Sequence, residues 1–337
     1  MTLEEGCKIA VGTCMGITEN DRVVIVSDED SEEIGKCLRK AALEMTPQVR
    51  YFKLELYGER PLSKIPEAIV EAAQSATVTF WTAGSIKGEL ETVRRPFINA
   101  ALIGGRHAHM VDIDKEIMAI GMAADYHEVE RVTQAVKKRL EDTKKVRVEN
   151  ELGTKLEATF NNVKWVDSTG INRSQGHWIN LPSGEVFTSP TDIKGKLVCD
   201  GVLGDYLGDM FHHKDLIETP VTVKIGKEGK ERAGVLDVDC ENEELLKELE
   251  EYFALHECSS WVGEMGFGTN IYLDSLIDNM LQDEKFPGVH VAFGDPINSE
   301  TYAGWTCPEH LDMVLTKCNV WFDEEKVMED GEWMVDY

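Results

Sequence analysis

The sequence predicts an α/β protein: an N-terminal Rossmann-like parallel-sheet domain followed by a β-rich α+β metal-binding domain. Three observations predict it. Short β-branched runs alternate with segments of helical period up to about residue 145. Beyond Lys144-Lys145 the rhythm changes to short strand-like segments, and the histidines and carboxylates with ligand-like placement lie in that second part. At 337 residues the chain exceeds what one core usually organises, so two domains, 1–145 and 146–337, are expected.

Arg22–Ser27 reads as the first strand, and Ile34, Leu38, Ala42 and Met45 place one apolar face on a helix from Ser31 to Met45. The unit recurs as strand Val49–Leu54, helix Pro66–Ala76, strand Val78–Thr82, a helix near Leu90–Ala101 and a strand near Ala108–Asp112. Repeated βα units imply a mostly parallel sheet with helices on both faces. A charged helix from Tyr126 to Thr143, with Val129, Val132, Val136 and Leu140 as its apolar stripe, closes this half. No Gly-x-Gly-x-x-Gly follows the first strand and no Walker pattern occurs, so no nucleotide cofactor is expected there. Further on, Lys155–Phe160, Glu185–Phe187, Lys196–Cys199, Val221–Ile225 and Gly234–Val238 read as strands bounded by Gly, Asn, Asp and Pro. Helices are expected at Asn242–Leu255 and Ile271–Leu281.

Composition excludes some function classes. No stretch approaches the roughly eighteen apolar residues of a membrane span, and Met-Thr-Leu-Glu-Glu is too acidic for a secretory signal, so a cytoplasmic protein is expected. A formal charge of −27 repels phosphate backbones and anionic lipid, which argues against nucleic-acid and membrane partners. The eight cysteines include no Cys-x-x-Cys. Cys307-Pro-Glu-His310 and His256-Glu-Cys258 have ligand-like local spacing but belong to no four-ligand pattern, and reduced thiols are expected.

Glu309-His-Leu-Asp-Met-Val-Leu315 carries the most chemistry. As a strand it projects His310 and Asp312 on one face while Leu311, Met313 and Leu315 pack behind. A Pro-Ser-Gly turn delivers Glu185 at a strand start, Glu264 stands among glycines ahead of the expected helix at Ile271, and His290 sits in the apolar run Val289–Gly294. Two imidazoles and three carboxylates suit Zn²⁺, Mn²⁺, Co²⁺ or Fe²⁺, one ion or two. His107-Ala-His109 has strand spacing but lies in the other domain, and His177, His212 and His213 have only a weak case for substrate contact.

With Leu-Pro-Ser-Gly-Glu-Val-Phe at 181–187, Gly-Glu-Met-Gly-Phe-Gly-Thr-Asn at 263–270, His-Val-Ala-Phe-Gly at 290–294 and His-Leu-Asp at 310–312, the sequence resembles the aminopeptidase T/aminopeptidase S metallopeptidases, a family of leucyl aminopeptidases and thermophilic metalloprotease-like proteins. The resemblance implies a homodimer acting on short peptides or other small molecules. It also implies that Glu185, Glu264, His290, His310 and Asp312 hold two co-catalytic ions, with Glu185 and Glu264 as catalytic carboxylate ligands. It names no general base. The family's further tyrosine ligand is replaced by Ile297, with Tyr302 the nearest substitute.

The C-terminal segments Cys307-Pro-Glu-His-Leu-Asp312 and Asn319-Val-Trp-Phe-Asp323 are also similar to ring-cleaving enzymes such as 2,5-dihydroxypyridine dioxygenase, which use one Fe²⁺. The leading expectation is a metallo-aminopeptidase that hydrolyses N-terminal peptide bonds or related small amides through a metal-activated water. The alternative is an Fe(II)-dependent extradiol-type dioxygenase using His290, His310 and Asp312.

Overall fold

A computed structural model describes residues 2–337, the Asp205 side chain excepted. The chain forms two compact units, Met1–Glu130 with Ser168–Ser183, and Arg131–Asp167 with Gly184–Tyr337. The sequence boundary at 145 falls inside the second unit. The chain passes between units within the helix Tyr126–Asp142 and returns once to the first.

The first unit holds a five-stranded sheet in the order Val49–Lys53, Val23–Ser27, Val78–Trp81, Arg106–His109, Trp178–Asn180. Every pairing is parallel. The three inner strands are buried along their whole length, as strands covered on both faces must be. Helices Glu32–Met45 and Glu67–Ser75 match the expected spans, and the fourth strand starts slightly earlier than expected, at Arg106. The fifth strand was not legible, because it arrives from a distant excursion of the chain. Strand order reverses between Val23–Ser27 and Val78–Trp81, where a doubly wound sheet opens its ligand crevice. Here Arg60 fills that place. Its guanidinium reaches Asp28 Oδ2 and Glu89 Oε2, each at 2.6 Å, and donates to the Gly84 carbonyl at 2.8 Å.

The second unit pairs an eight-stranded sheet with a five-stranded one. The larger runs Gly234–Asp239, Val221–Gly226, Asp192–Cys199, Lys155–Thr159, Lys145–Glu149, Asn319–Phe322, Glu325–Glu329, Glu332–Trp333, antiparallel throughout. The smaller runs His310–Leu315, Gly288–Gly294, Val262–Gly268, Glu185–Thr188, Val166–Ser168. Val148, Leu156, Leu197, Val223 and Val320 of the first sheet share one core with Met265, Phe267, Val291, Phe293, Leu311 and Met313 of the second. Val132, Val136 and Leu140 of the charged helix close over that core.

Three expectations are corrected. The segment Ile271–Leu281 is not a helix: only Met280–Asp283 is helical, because the buried Asp283 carboxylate accepts from the backbone N–H of Ile277 and Asn279, each at 3.1 Å, and diverts donors a helix would need. Glu264 therefore does not precede a helix but lies within the strand Val262–Gly268. Finally, Cys258 and Cys307 are not both free thiols. The chain between Asp295 and His310 folds back on the short helix Glu257–Ser260, bringing their Cα atoms to 5.9 Å in a disulfide. The other six cysteines are free. Among the described residues, no helix is long and apolar enough to cross a membrane.

Candidate metal centre

The five-stranded sheet of the second unit sorts its side chains by the two-residue alternation of strands. One face supplies Met265, Phe267, Val289, Val291, Phe293, Leu311, Met313 and Leu315 to the core. The other carries the chemistry. Glu264 pairs in register with Ala292, and Ala292 with Asp312, placing the two carboxylates on either side of a small residue. His290 pairs with Gly266, and Glu185 with Gly268. His310 precedes Asp312 by two positions and shares its face, opposite Gly294. All five side chains singled out from the sequence therefore project from one face of one sheet.

Gly266 makes room for the imidazole, since a Cβ there would stand 1.9 Å from His290 Nε2. The His290 Nε2 atom lies 3.2 Å from Glu264 Oε1 and 3.7 Å from Glu185 Oε2. One ligand-capable atom from each of Glu185, Glu264 and His290 falls within 4.8 Å of the others. His310 Nε2 lies 3.3 Å from Asp312 Oδ2, while its Nδ1 lies 2.8 Å from the Asp295 carbonyl. A carbonyl only accepts, so Nδ1 carries the hydrogen, and neutral His310 presents the lone pair of Nε2 to the pocket. That orientation is the usual second-shell device of a metal-binding imidazole.

The donors fit a divalent cation. Glu185, Glu264, His290 and Asp312 are all buried, and Glu264 Oε2 and Asp312 Oδ1 have no hydrogen-bond partner among the described residues. Buried carboxylate oxygens without partners are costly unless a cation joins them. Proton affinities show the same demand. Burial pushes His310 down, yet Asp312 and Glu264 more than offset it and raise its pKa to about 10; Asp312, against burial, is held at about 2 chiefly by His310. His290 is also raised, its burial outweighed by Glu264, Asp312 and Glu185, and Glu264 is raised mainly by burial. A divalent ion would replace the imidazole protons and release them.

One pocket residue was not legible in the sequence. Lys285 is fully buried, its Nζ 3.1 Å from Glu185 Oε1 and also in contact with Glu284 Oε1. In Asp283-Glu-Lys285 it reads as part of a solvated charge run, and only the tertiary fold turns it inward. Other sequence candidates lie elsewhere. Tyr302 is 71% exposed with its ring over Lys164, so it does not replace the absent tyrosine ligand. His107 and His109 are buried in the parallel sheet of the first unit, His107 bonded to Thr79 at 2.8 Å and pushed by burial to about 3. His177 belongs to that unit too. His213 Nδ1–H donates to the Asp200 and Gly201 carbonyls, and His212 stands 3.7 Å from Asp278.

Residues 7–240 match the model of a family described as NicX, 2,5-dihydroxypyridine 5,6-dioxygenase. That match includes Glu185 and ends before the strands bearing Glu264, His290, His310 and Asp312. Among solved structures, 2,5-dihydroxypyridine dioxygenase from Pseudomonas putida KT2440 is similar at 18% identity, over 98% of this chain and 96% of that one, with a TM-score of 0.72. Wild-type AmpT from Thermus thermophilus is similar at 15% identity over 99% of both chains, with a TM-score of 0.67. At these identities both show the fold. No curated protein matches the sequence.

Proposed function

This chain belongs to the NicX family, and from that premise and the carboxylate-rich pocket we propose that it is a divalent-metal enzyme that hydrolyses N-terminal peptide bonds or related small amides. The observation that carries the reading is the convergence of Glu185, Glu264 and His290 within 4.8 Å, on the same sheet face as His310 and Asp312. A single-iron face of two histidines and one carboxylate requires only His290, His310 and Asp312. It leaves the buried Glu264 Oε2 without a partner among the described residues, whereas a hydrolytic centre that takes Glu264 as a ligand uses it.

A divalent ion held by these residues supplies Lewis acidity and a water acidified toward neutrality. The protein's part follows from its own geometry. Asp295 fixes the His310 ring through Nδ1–H, and Gly266 leaves His290 its space. Glu264, whose Oε2 has no hydrogen-bond partner among the described residues, would be one of the carboxylates that hold the ion. The substrate is a small molecule or short peptide, and the working form a homodimer, as the family resemblance implies.

The family match and the histidine pair favour a second reading, ring cleavage by an iron-dependent dioxygenase. Elemental analysis of anaerobically purified protein, followed by parallel assays, separates the two. Hydrolysis of aminoacyl amides with zinc, cobalt or manganese supports the first. Iron with oxygen uptake on 2,5-dihydroxypyridine, and no hydrolysis, replaces it with the second.

A further inference from the structure

We infer that Lys285 is a built-in cation of this pocket: its ammonium engages the Glu185 oxygen that a second metal ion would need, so the centre takes one divalent ion per chain. The inference rests on the reading of the pocket as a metal centre. A lysine side chain with no solvent exposure is rare and persists only where carboxylates meet it. Here Glu185 is divided between two neighbours. Its Oε1 lies 3.1 Å from Lys285 Nζ, an ion pair by proximity that lacks hydrogen-bond geometry, and its Oε2 faces His290 Nε2 at 3.7 Å. One oxygen thus remains for an ion, and bridging through both would require displacing a buried ammonium.

The backbone holds Lys285 in place. Its N–H donates to Gln282 O at 2.9 Å and its carbonyl accepts from Asn270 N at 3.1 Å. Gly268, the register partner of Glu185, is what lets this segment approach: a Cβ there would meet Phe286 O at 1.9 Å and the Lys285 carbonyl carbon at 2.7 Å. The donor inventory points the same way. An ion in a protein centre takes about three or four protein donors, so two ions served by five side chains must share carboxylates. Glu185 is the carboxylate whose second oxygen is engaged, and Tyr302 stands at the surface rather than adding a sixth donor. Glu284, partly exposed, also contacts the ammonium and contributes to its neutralisation.

The test uses the full chain stripped of metal and reloaded with Mn²⁺, read by elemental analysis and by electron paramagnetic resonance. Wild type is expected to hold one ion per chain with the spectrum of an isolated Mn²⁺, and Lys285→Arg, which keeps the cation, to do the same. Lys285→Met is expected to admit a second ion, raising the stoichiometry toward two and producing an exchange-coupled spectrum. Two coupled ions in wild type overturn the inference while leaving the metal centre standing. A single ion of unchanged affinity in folded Lys285→Met also overturns it. Absence of specific binding in wild type overturns the metal reading itself and the inference with it. If Lys285→Met does not fold, the wild-type spectrum alone decides.

Discussion

His310 and Asp283 show how single residues set what this protein can do. His310 is oriented from behind by Asp295 and faces Asp312 in front. His310→Ala or Glu264→Ala is therefore expected to lower metal affinity at least about 100-fold, since loss of a second-shell partner alone costs 10–100-fold. The circular dichroism spectrum should be retained, and unchanged metal content would remove the ligand assignment. Gly266→Ala reaches the same end by sterics: the added Cβ, 1.9 Å from His290 Nε2, must displace the ring or the strand. We expect weakened metal binding and a lower melting temperature, measured side by side. Asp283 titrates in a useful range. Burial raises its pKa from 3.8 to about 7, against the backbone N–H bonds it accepts. The folded state thus binds the proton more tightly than the unfolded one. Its stabilising effect is complete below about pH 4 and is lost as the pH rises through about 7. Asp283→Asn should flatten that fall in denaturation curves taken between those pH values, and an unaltered slope would show that the carboxyl does not govern it.

Among the elements, the five-stranded sheet of the second unit divides its labour by face, apolar residues to the core and the histidines and carboxylates to the other side. Its edge strand, beginning at His310, depends on the loop before it, which the Cys258–Cys307 disulfide straps to the helix Glu257–Ser260. Cys307 N–H also donates to Asp295 Oδ1 at 3.3 Å, and Asp295 in turn holds His310. Closing a loop with a sequence separation of 49 restricts the unfolded chain, an effect of about 2–4 kcal/mol. Cys307→Ser is expected to lower the melting temperature and to weaken metal binding modestly. Equal melting curves with and without reductant for wild type would show that the strap is not formed in solution.

Over the whole molecule, charge dominates. A formal −27 across 337 residues means that the compact state works against its own repulsion. Raising salt from about 0.01 to about 0.15 M shortens the screening length from roughly 30 to roughly 8 Å. The melting temperature should rise over that interval; a fall would indicate that paired surface charges, such as Lys145–Glu157, outweigh the net repulsion.

The alternation of periods along the chain determined by itself the two kinds of architecture, because helical and strand faces must repeat every 3.6 and every two residues to bury an apolar side. The same rule places His310 and Asp312 on one face from their spacing alone, and motif order adds Glu185, Glu264 and His290. Tertiary structure alone decided what depends on contacts between distant segments. It placed the strand Trp178–Asn180 in the parallel sheet. It turned the apolar run after Ile271 into loop, where a buried carboxylate captures backbone donors. It joined Cys258 to Cys307 and buried Lys285 against Glu185. Local sequence carries periodicity and turn chemistry, but the partner of a charge or a thiol is whatever the fold brings within a few ångströms.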